Sequence, residues 1–323
     1  MSAAEGAPLA APDLAAVERA RRRIDGLAVR TPTLRLDGDG ELWLKLESLQ
    51  PIGSFKLRGA ANAIQAVGEE ALTEGVITAS AGNMAQGVAW CARRLGVRCR
   101  VVAPDHAPTV KVHAIQALDA EVTLVPFDRW WRTLEERRHP GLAGHFLHPF
   151  ADVEVMAGNA TIGLEILDDV EDVETVLVPF GGGGLACGIA AAVKSIRPEV
   201  RVIACEVETA APLTAALTAQ RPIEVEYEPS FVDGIGSRRV FEPMWPLIRE
   251  LIDGTLVVTL RQVRDAVRRL ANERHVIAEG AGAVPVAAAL AAPPGSLGRT
   301  VCVVSGGNLD PRVLVDILFG RDP

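Results

Sequence analysis

Positive charge, aromatic rings, paired cysteines and long apolar runs are all scarce in this chain of 323 residues. Lysine and arginine number 33 against 41 aspartates and glutamates, a formal net charge of −8. Such a balance argues against nucleic acid or an anionic membrane surface as partner. The five cysteines (Cys91, Cys99, Cys187, Cys205 and Cys302) are scattered and form no CxxC pair. That spacing offers no disulfide framework and reads as buried free thiols in a reducing compartment. The alanine-rich run at 283–292 is too short to cross a bilayer and stops at Pro293-Pro294. A secretory leader is not evident, because the basic cluster at 19–23 follows the small apolar residues instead of preceding them. A cytoplasmic protein is expected. Aromatic residues make up only 4% of the chain, while hydrophobic residues make up 49%. The core is therefore built mainly from small and aliphatic side chains, as fits an α/β protein.

What is present centres on Gly53-Ser54-Phe55-Lys56-Leu57-Arg58-Gly59. Leu42, Leu44 and Leu46 alternate with Trp43, Lys45 and Glu47, which predicts a half-buried strand. Pro51 and Gly53 break it, Ser54 offers a cap, and Ala60, Ala61, Ile64 and Val67 then recur at helical spacing. Lys56 falls in the first turn of that helix, where the macrodipole disfavours an ammonium. An amine set against its dipole beside Phe55 is suited to nucleophilic chemistry; a solvated lysine on a frayed helix end is the plain alternative. Two further stretches bear on the choice. Ser80-Ala81-Gly82-Asn83 is a polar loop between a short strand and an apolar helix. Gly181-Gly182-Gly183-Gly184-Leu185 sits at another strand-to-helix turn, where bare N–H groups converge on an anion. Amine, polar loop and phosphate cradle together point to pyridoxal phosphate.

Strand and helix alternate from residue 76 to 146, and again from 158 to the last helix. Such alternation predicts parallel sheets with right-handed crossovers in two α/β layers. Residues 1–74 and 148–323 are expected to form a large unit, with 1–12 disordered. Residues 75–147 form a small unit inserted in it, and the cofactor cleft lies between the two.

The segments GSFKLRGAANAI, SAGNMAQG, GGGGLACG and SGGN, in this order and spacing, resemble the fold-type II pyridoxal-phosphate enzymes. Within these the chain is similar to the threonine/serine dehydratase and serine racemase family, from about Ala15 to Leu318. The resemblance implies two open α/β domains of the tryptophan synthase β type and a homodimer acting on a small amino acid. Lys56 would carry the cofactor and, once displaced by substrate, remove the Cα proton. Ser80 would assist catalysis. Phe55, Asn83, Gly234, Glu279 and Ser305 would join Gly181, Gly182, Gly183, Gly184 and Leu185 around the cofactor. Ser80, Ala81, Gly82, Asn83, Met84, Arg132 and Ser237 would meet the substrate. A hydroxyl at Ser305 facing the pyridine nitrogen makes a weaker electron sink than an aspartate would, which suits β-elimination.

Departures from the family pattern sharpen this. Ala81 stands where racemases carry the serine that serves the opposite face, so dehydration is expected to outrun racemisation. Met84 replaces a common histidine. Glu206 and Ala210 match a cation site, but its third position is Pro212, so no metal is expected. Arg238 also matches a substrate-proximal position. The reading is an ammonia-lyase of a β-hydroxy amino acid, L-threonine or L-serine, giving a 2-oxo acid and ammonia. A bulkier or charged β-hydroxy amino acid, racemase activity, and a silent cofactor carrier are the alternatives. A rival from outside the family is a dinucleotide fold, since Gly181-x-Gly183-x-x-Ala186 fits its fingerprint and Glu206 ends the next strand. Trp130-Trp131 reads as packing, and His145-x-x-His148 lacks a third ligand.

Overall fold

The computed structural model describes residues 9–36 and 41–322. Ten strands run through them: β1 (Thr33–Arg35), β2 (Leu42–Leu46), β3 (Val76–Ala79), β4 (Cys99–Pro104), β5 (Glu121–Val125), β6 (His145–Phe146), β7 (Thr175–Pro179), β8 (Arg201–Val207), β9 (Gly254–Val258) and β10 (Thr300–Val304). The helices up to the second half of the chain are α1 (Leu14–Arg23), α2 (Lys56–Ala66), α3 (Glu69–Leu72), α4 (Asn83–Leu95), α5 (Thr109–Gln116), α6 (Phe127–Glu136) and α7 (Val153–Asp169). They continue as α8 (Gly184–Ile196), α9 (Pro212–Ala219), α10 (Trp245–Leu251), α11 (Leu260–Arg274), α12 (Gly280–Ala291) and α13 (Pro311–Leu318).

The strands sort into two sheets. One has the order β1-β2-β10-β7-β8-β9 and is parallel except for β1; the other, β5-β4-β3-β6, is parallel throughout. Apolar layers cover both faces of the six-stranded sheet. One layer is drawn from α7, α8 and α10, and the other from α11, α12 and α13. A third cluster packs α2 and α4 against β3 and β4. Burial on both faces is why most of these strands read as near-continuous valine, isoleucine and leucine. Strand β2 alternates and was expected to be half-buried, yet Lys45 is buried too, because it is ion-paired to Glu165. All five cysteines are buried in these layers, and desolvation raises their thiols. Among the described residues no helix is long and apolar enough to cross a membrane.

Pairing of β2 with β10 matters most for the site. Leu42 stands opposite Thr300 and Leu46 opposite Val304, so the two strands end together. The segment before Lys56 therefore emerges beside Ser305-Gly306-Gly307-Asn308, some 250 residues later in the chain. Two expectations shift. Helix α7 starts at Val153, five residues before 158, because Asp152 caps it by accepting the N–H groups of Glu154 and Val155. Of the leader expected to be irregular, residues 1–8 lie outside the described part, while Leu9 and Ala11 pack on the core.

Candidate active site

Backbone pairing delivers Lys56 to its place. The Phe55 N–H donates to the Ser305 carbonyl at 3.0 Å and the Gly307 N–H to the Gly53 carbonyl at 2.9 Å, while Ser54 bridges Gly306. Helix α2 begins at Lys56 itself, with Phe55 at the cap position and no side chain capping it. The anticipated Ser54 cap is reduced to a 3.4 Å contact with the Lys56 N–H, because Ser54 is drawn into the bridge to Gly306. Two residues on, Arg58 anchors the helix. Its fully buried guanidinium grips both oxygens of Glu47 at 2.8 Å and both of Glu165 at 2.7 and 2.9 Å. Lys45 adds a 2.8 Å ion pair to Glu165. A network satisfied on every side fixes the turn that carries Lys56.

The Lys56 ammonium donates to the Pro149 carbonyl at 2.9 Å and lies 5.1 Å from the centre of the Phe55 ring. Burial pushes its pKa down to about 8, against the attraction of Glu279. The acceptor is held in a turn built on His148. The His148 Nδ1 accepts the N–H groups of Ala151 at 2.9 Å and Phe150 at 3.4 Å, so its proton sits on Nε2. Desolvation holds this imidazole well below its ordinary pKa, and Nε2 is buried without a partner. Pro149 and Phe150 were not singled out from the sequence, although His-Pro-Phe closing a strand is a visible signal.

Phe150 in turn shapes the glycine loop. A Cβ on Gly184 would meet the Phe150 carbonyl oxygen at 2.5 Å, so only glycine lets α8 begin so close to that turn. Gly183 caps α8 with φ of +88°, and no side chain covers the helix start. The leading N–H groups of the helix remain available, a setting that favours an anion. The dinucleotide reading loses its acidic partner. Both carboxylate oxygens of Glu206 are engaged, by the Leu213 N–H at 2.7 Å, the Thr214 N–H at 2.8 Å and the Thr214 hydroxyl at 2.6 Å. Glu206 caps α9 and is 1% exposed.

A cavity of about 310 Å³ joins these parts. Phe55, Lys56, Ser80, Gly82, Asn83, Met84, Gly181, Gly182, Gly183, Gly184, Leu185, Gly234, Ser237, Glu279 and Ser305 all line it. The Asn83 side-chain amide donates to both oxygens of Glu279 at 2.9 and 3.1 Å, and its carbonyl accepts from Asn308 at 2.9 Å. Asn308 also donates to the Ile52 carbonyl at 2.9 Å, tying the loop before Lys56 to the one after β3. Burial raises Glu279 to about 7. Met84 belongs to the apolar cluster of α2 and α4 as well as to the wall. Two anticipated residues differ. Ala81 is outside the cavity lining, and exposed Arg132 lines only a neighbouring groove, which Trp130 and Trp131 share with the cavity. Those two tryptophans, read from sequence as packing, are part of the cavity wall.

The set fits pyridoxal phosphate. A half-buried primary amine, an uncapped helix start whose close approach to Phe150 a Cβ would block, and a hydroxyl at Ser305 match its aldehyde, phosphate and ring. A family model described as "Pyridoxal-phosphate dependent enzyme" matches residues 24–306. The L-threonine ammonia-lyase of Thermotoga maritima is 41% identical over 282 residues, covering 86% of this chain and 70% of that one. A catabolic L-threonine dehydratase of Staphylococcus aureus is 36% identical over 310 residues, covering 91% and 88%. Maize serine racemase superposes with a TM-score of 0.87 at 29% identity, covering 96% of this chain and 98% of that one. With the lysine, the glycine cradle and the matched span in agreement, the chain belongs to the pyridoxal-phosphate dependent enzymes, in the fold-type II branch that includes threonine dehydratases and serine racemases.

Proposed function

We propose that the protein is an ammonia-lyase that converts L-threonine, and L-serine as a lesser substrate, to a 2-oxo acid and ammonia. The observation that carries this reading is Lys56, a half-buried amine with its pKa lowered to about 8, facing the uncapped start of α8 across one cavity. The cofactor supplies the sink for the electrons left when the Cα proton departs. The Lys56 Nζ takes that proton, and the Pro149 carbonyl holds the amine in line. The Cβ–O bond then breaks, and the hydroxyl keeps the electron pair and leaves as water with the proton that the Lys56 Nζ took from Cα. The released enamine becomes an imine and adds water, yielding the 2-oxo acid and ammonia. Asn83, fixed by Glu279 and Asn308, and the loop of Ser80 and Gly82 orient cofactor and carboxylate. The relatives named for threonine at 41% and 36% identity support the substrate class.

The purified holoenzyme should release 2-oxobutanoate from L-threonine, read with lactate dehydrogenase and NADH, and Lys56→Ala should abolish the reaction. Absence of 2-oxo acid from L-threonine and L-serine would exclude the proposal.

A further inference from the structure

We propose that the cavity selects 3-hydroxy amino acids bearing a bulky apolar group on Cβ, aryl or branched alkyl, beyond the methyl of threonine. This rests on the ammonia-lyase reading and concerns the same site. The cavity wall includes Trp130, Trp131 and Leu134 and, beside the glycine loop, Phe150 with the Phe241 ring packed on it. Four of the five are aromatic in a chain that is 4% aromatic, and they come from three separated segments. They form two linked groups. Trp130 and Trp131 lie 6.1 Å apart and tilted, with Phe127 behind them at 5.5 and 6.4 Å. Phe150 and Phe241 meet edge to face at 5.5 Å. A methyl group touches only a fraction of one such ring, whereas an aryl substituent finds edges and faces at the offsets aromatic pairs favour.

The cavity also has room to continue. Trp130, Trp131, Gly236, Ser237 and Arg239 line both it and an adjoining groove of about 1000 Å³. A substituent too long for the inner cavity therefore passes between the tryptophans and the 236–239 segment. The groove beyond this exit is lined by Asp128, Glu135 and Glu224 and by Arg132, Arg238 and Arg239, so its carboxylates offset its arginines toward an anionic substituent. The Trp131 indole N–H is held by the Glu135 carboxylate at 2.8 Å, which leaves an acid at the rim. The Arg239 guanidinium is already paired with Glu242. An apolar substituent needs no counter-ion and gains from the rings.

The test uses the holoenzyme with L-serine, L-threonine, 3-hydroxyleucine, L-threo-3-phenylserine and 3-hydroxyaspartate. Substrate binding is read from the cofactor absorbance change and turnover from 2-oxo acid formation. Phenylserine and 3-hydroxyleucine are expected to equal or exceed threonine in kcat/KM, and 3-hydroxyaspartate to fall at least tenfold below it. Trp131→Ala should cost phenylserine about tenfold or more through KM, the scale of a lost apolar contact, with threonine changed less than threefold; Trp131→Phe should restore most of the difference. Phenylserine more than tenfold poorer than threonine, or an unchanged ratio in both variants, overturns the proposal. If no substrate is turned over while phenylserine binds more tightly than threonine, the pocket stands and the ammonia-lyase reading falls.

Discussion

Lys56 shows how a residue type acquires chemistry from its surroundings. Its pKa of about 8 is set by burial, with Glu279 opposing the shift. Relative to an exposed lysine, this leaves on the order of a hundredfold more neutral amine near pH 7.5. Uptake of pyridoxal phosphate by the stripped protein should accelerate as pH rises and level off above about 8, followed by absorbance in stopped flow. A rate still climbing steeply beyond pH 9.5 would mean an unperturbed amine. Borohydride reduction of the loaded protein should fix the cofactor on the Lys56 peptide, and label on Lys45, Lys111 or Lys194 would refute the assignment. Lys56 could be singled out as the candidate reactive lysine from its neighbours in sequence. Its hydrogen bond to Pro149 could not, because nothing local to residue 56 specifies a partner 93 residues away.

At the level of elements, strands and helices were legible because the hydrophobic period changes cleanly between them. Helix α9 at Pro212–Ala219 and strand β10 at Thr300–Val304 carry their bounds in the sequence, since a proline start and a run of β-branched residues are local signals. The start of α7 was missed because its glycines and Asn159 obscured the helical period, while Asp152 set the true cap. Trp130 and Trp131 do pack on the core of the four-stranded sheet, as expected, but that they also line the cavity was not legible, for a related reason. An amphipathic helix shows which residues face inward, but not whether that face meets core or cavity. The glycine loop supplies the test at this scale. Gly183 holds φ of +88°, where a β-branched side chain is strained, while its Cβ would meet Met244 and Ile248 only at 3.3 and 3.4 Å. Gly183→Val should thus distort the loop more than the packing around it and weaken cofactor retention at least tenfold. Equilibrium dialysis would show it; retention equal to wild type would mean that the loop does not hold the phosphate.

Over the whole molecule, the two desolvated groups of the site set how the stability of the free protein depends on pH. Both Lys56 and Glu279 are shifted toward their neutral forms by desolvation, to about 8 and about 7. For Glu279 the folded pKa lies above the unfolded one, so the native state binds the extra proton and stability falls as pH rises from about 4.5 to 7. For Lys56 the folded pKa lies below the unfolded one, so the native state has already lost its proton between about 8 and 10.5 and stability rises with pH there. The cofactor-free protein therefore carries both penalties together between pH 7 and 8. Replacing the amine by an apolar chain of similar length removes the Lys56 part. Lys56→Met should be more stable than wild type at pH 7.5 by about 2 kcal/mol, the shift discounted for partial exposure of the side chain. The difference should shrink as pH rises through 10.5, above which the wild-type amine is neutral in both states. Denaturant unfolding of the two stripped proteins at pH 7.5 and 10 measures this. A variant no more stable than wild type at pH 7.5 would show that the amine is solvated in the free protein, and that its reactivity arises only once the cofactor is in place.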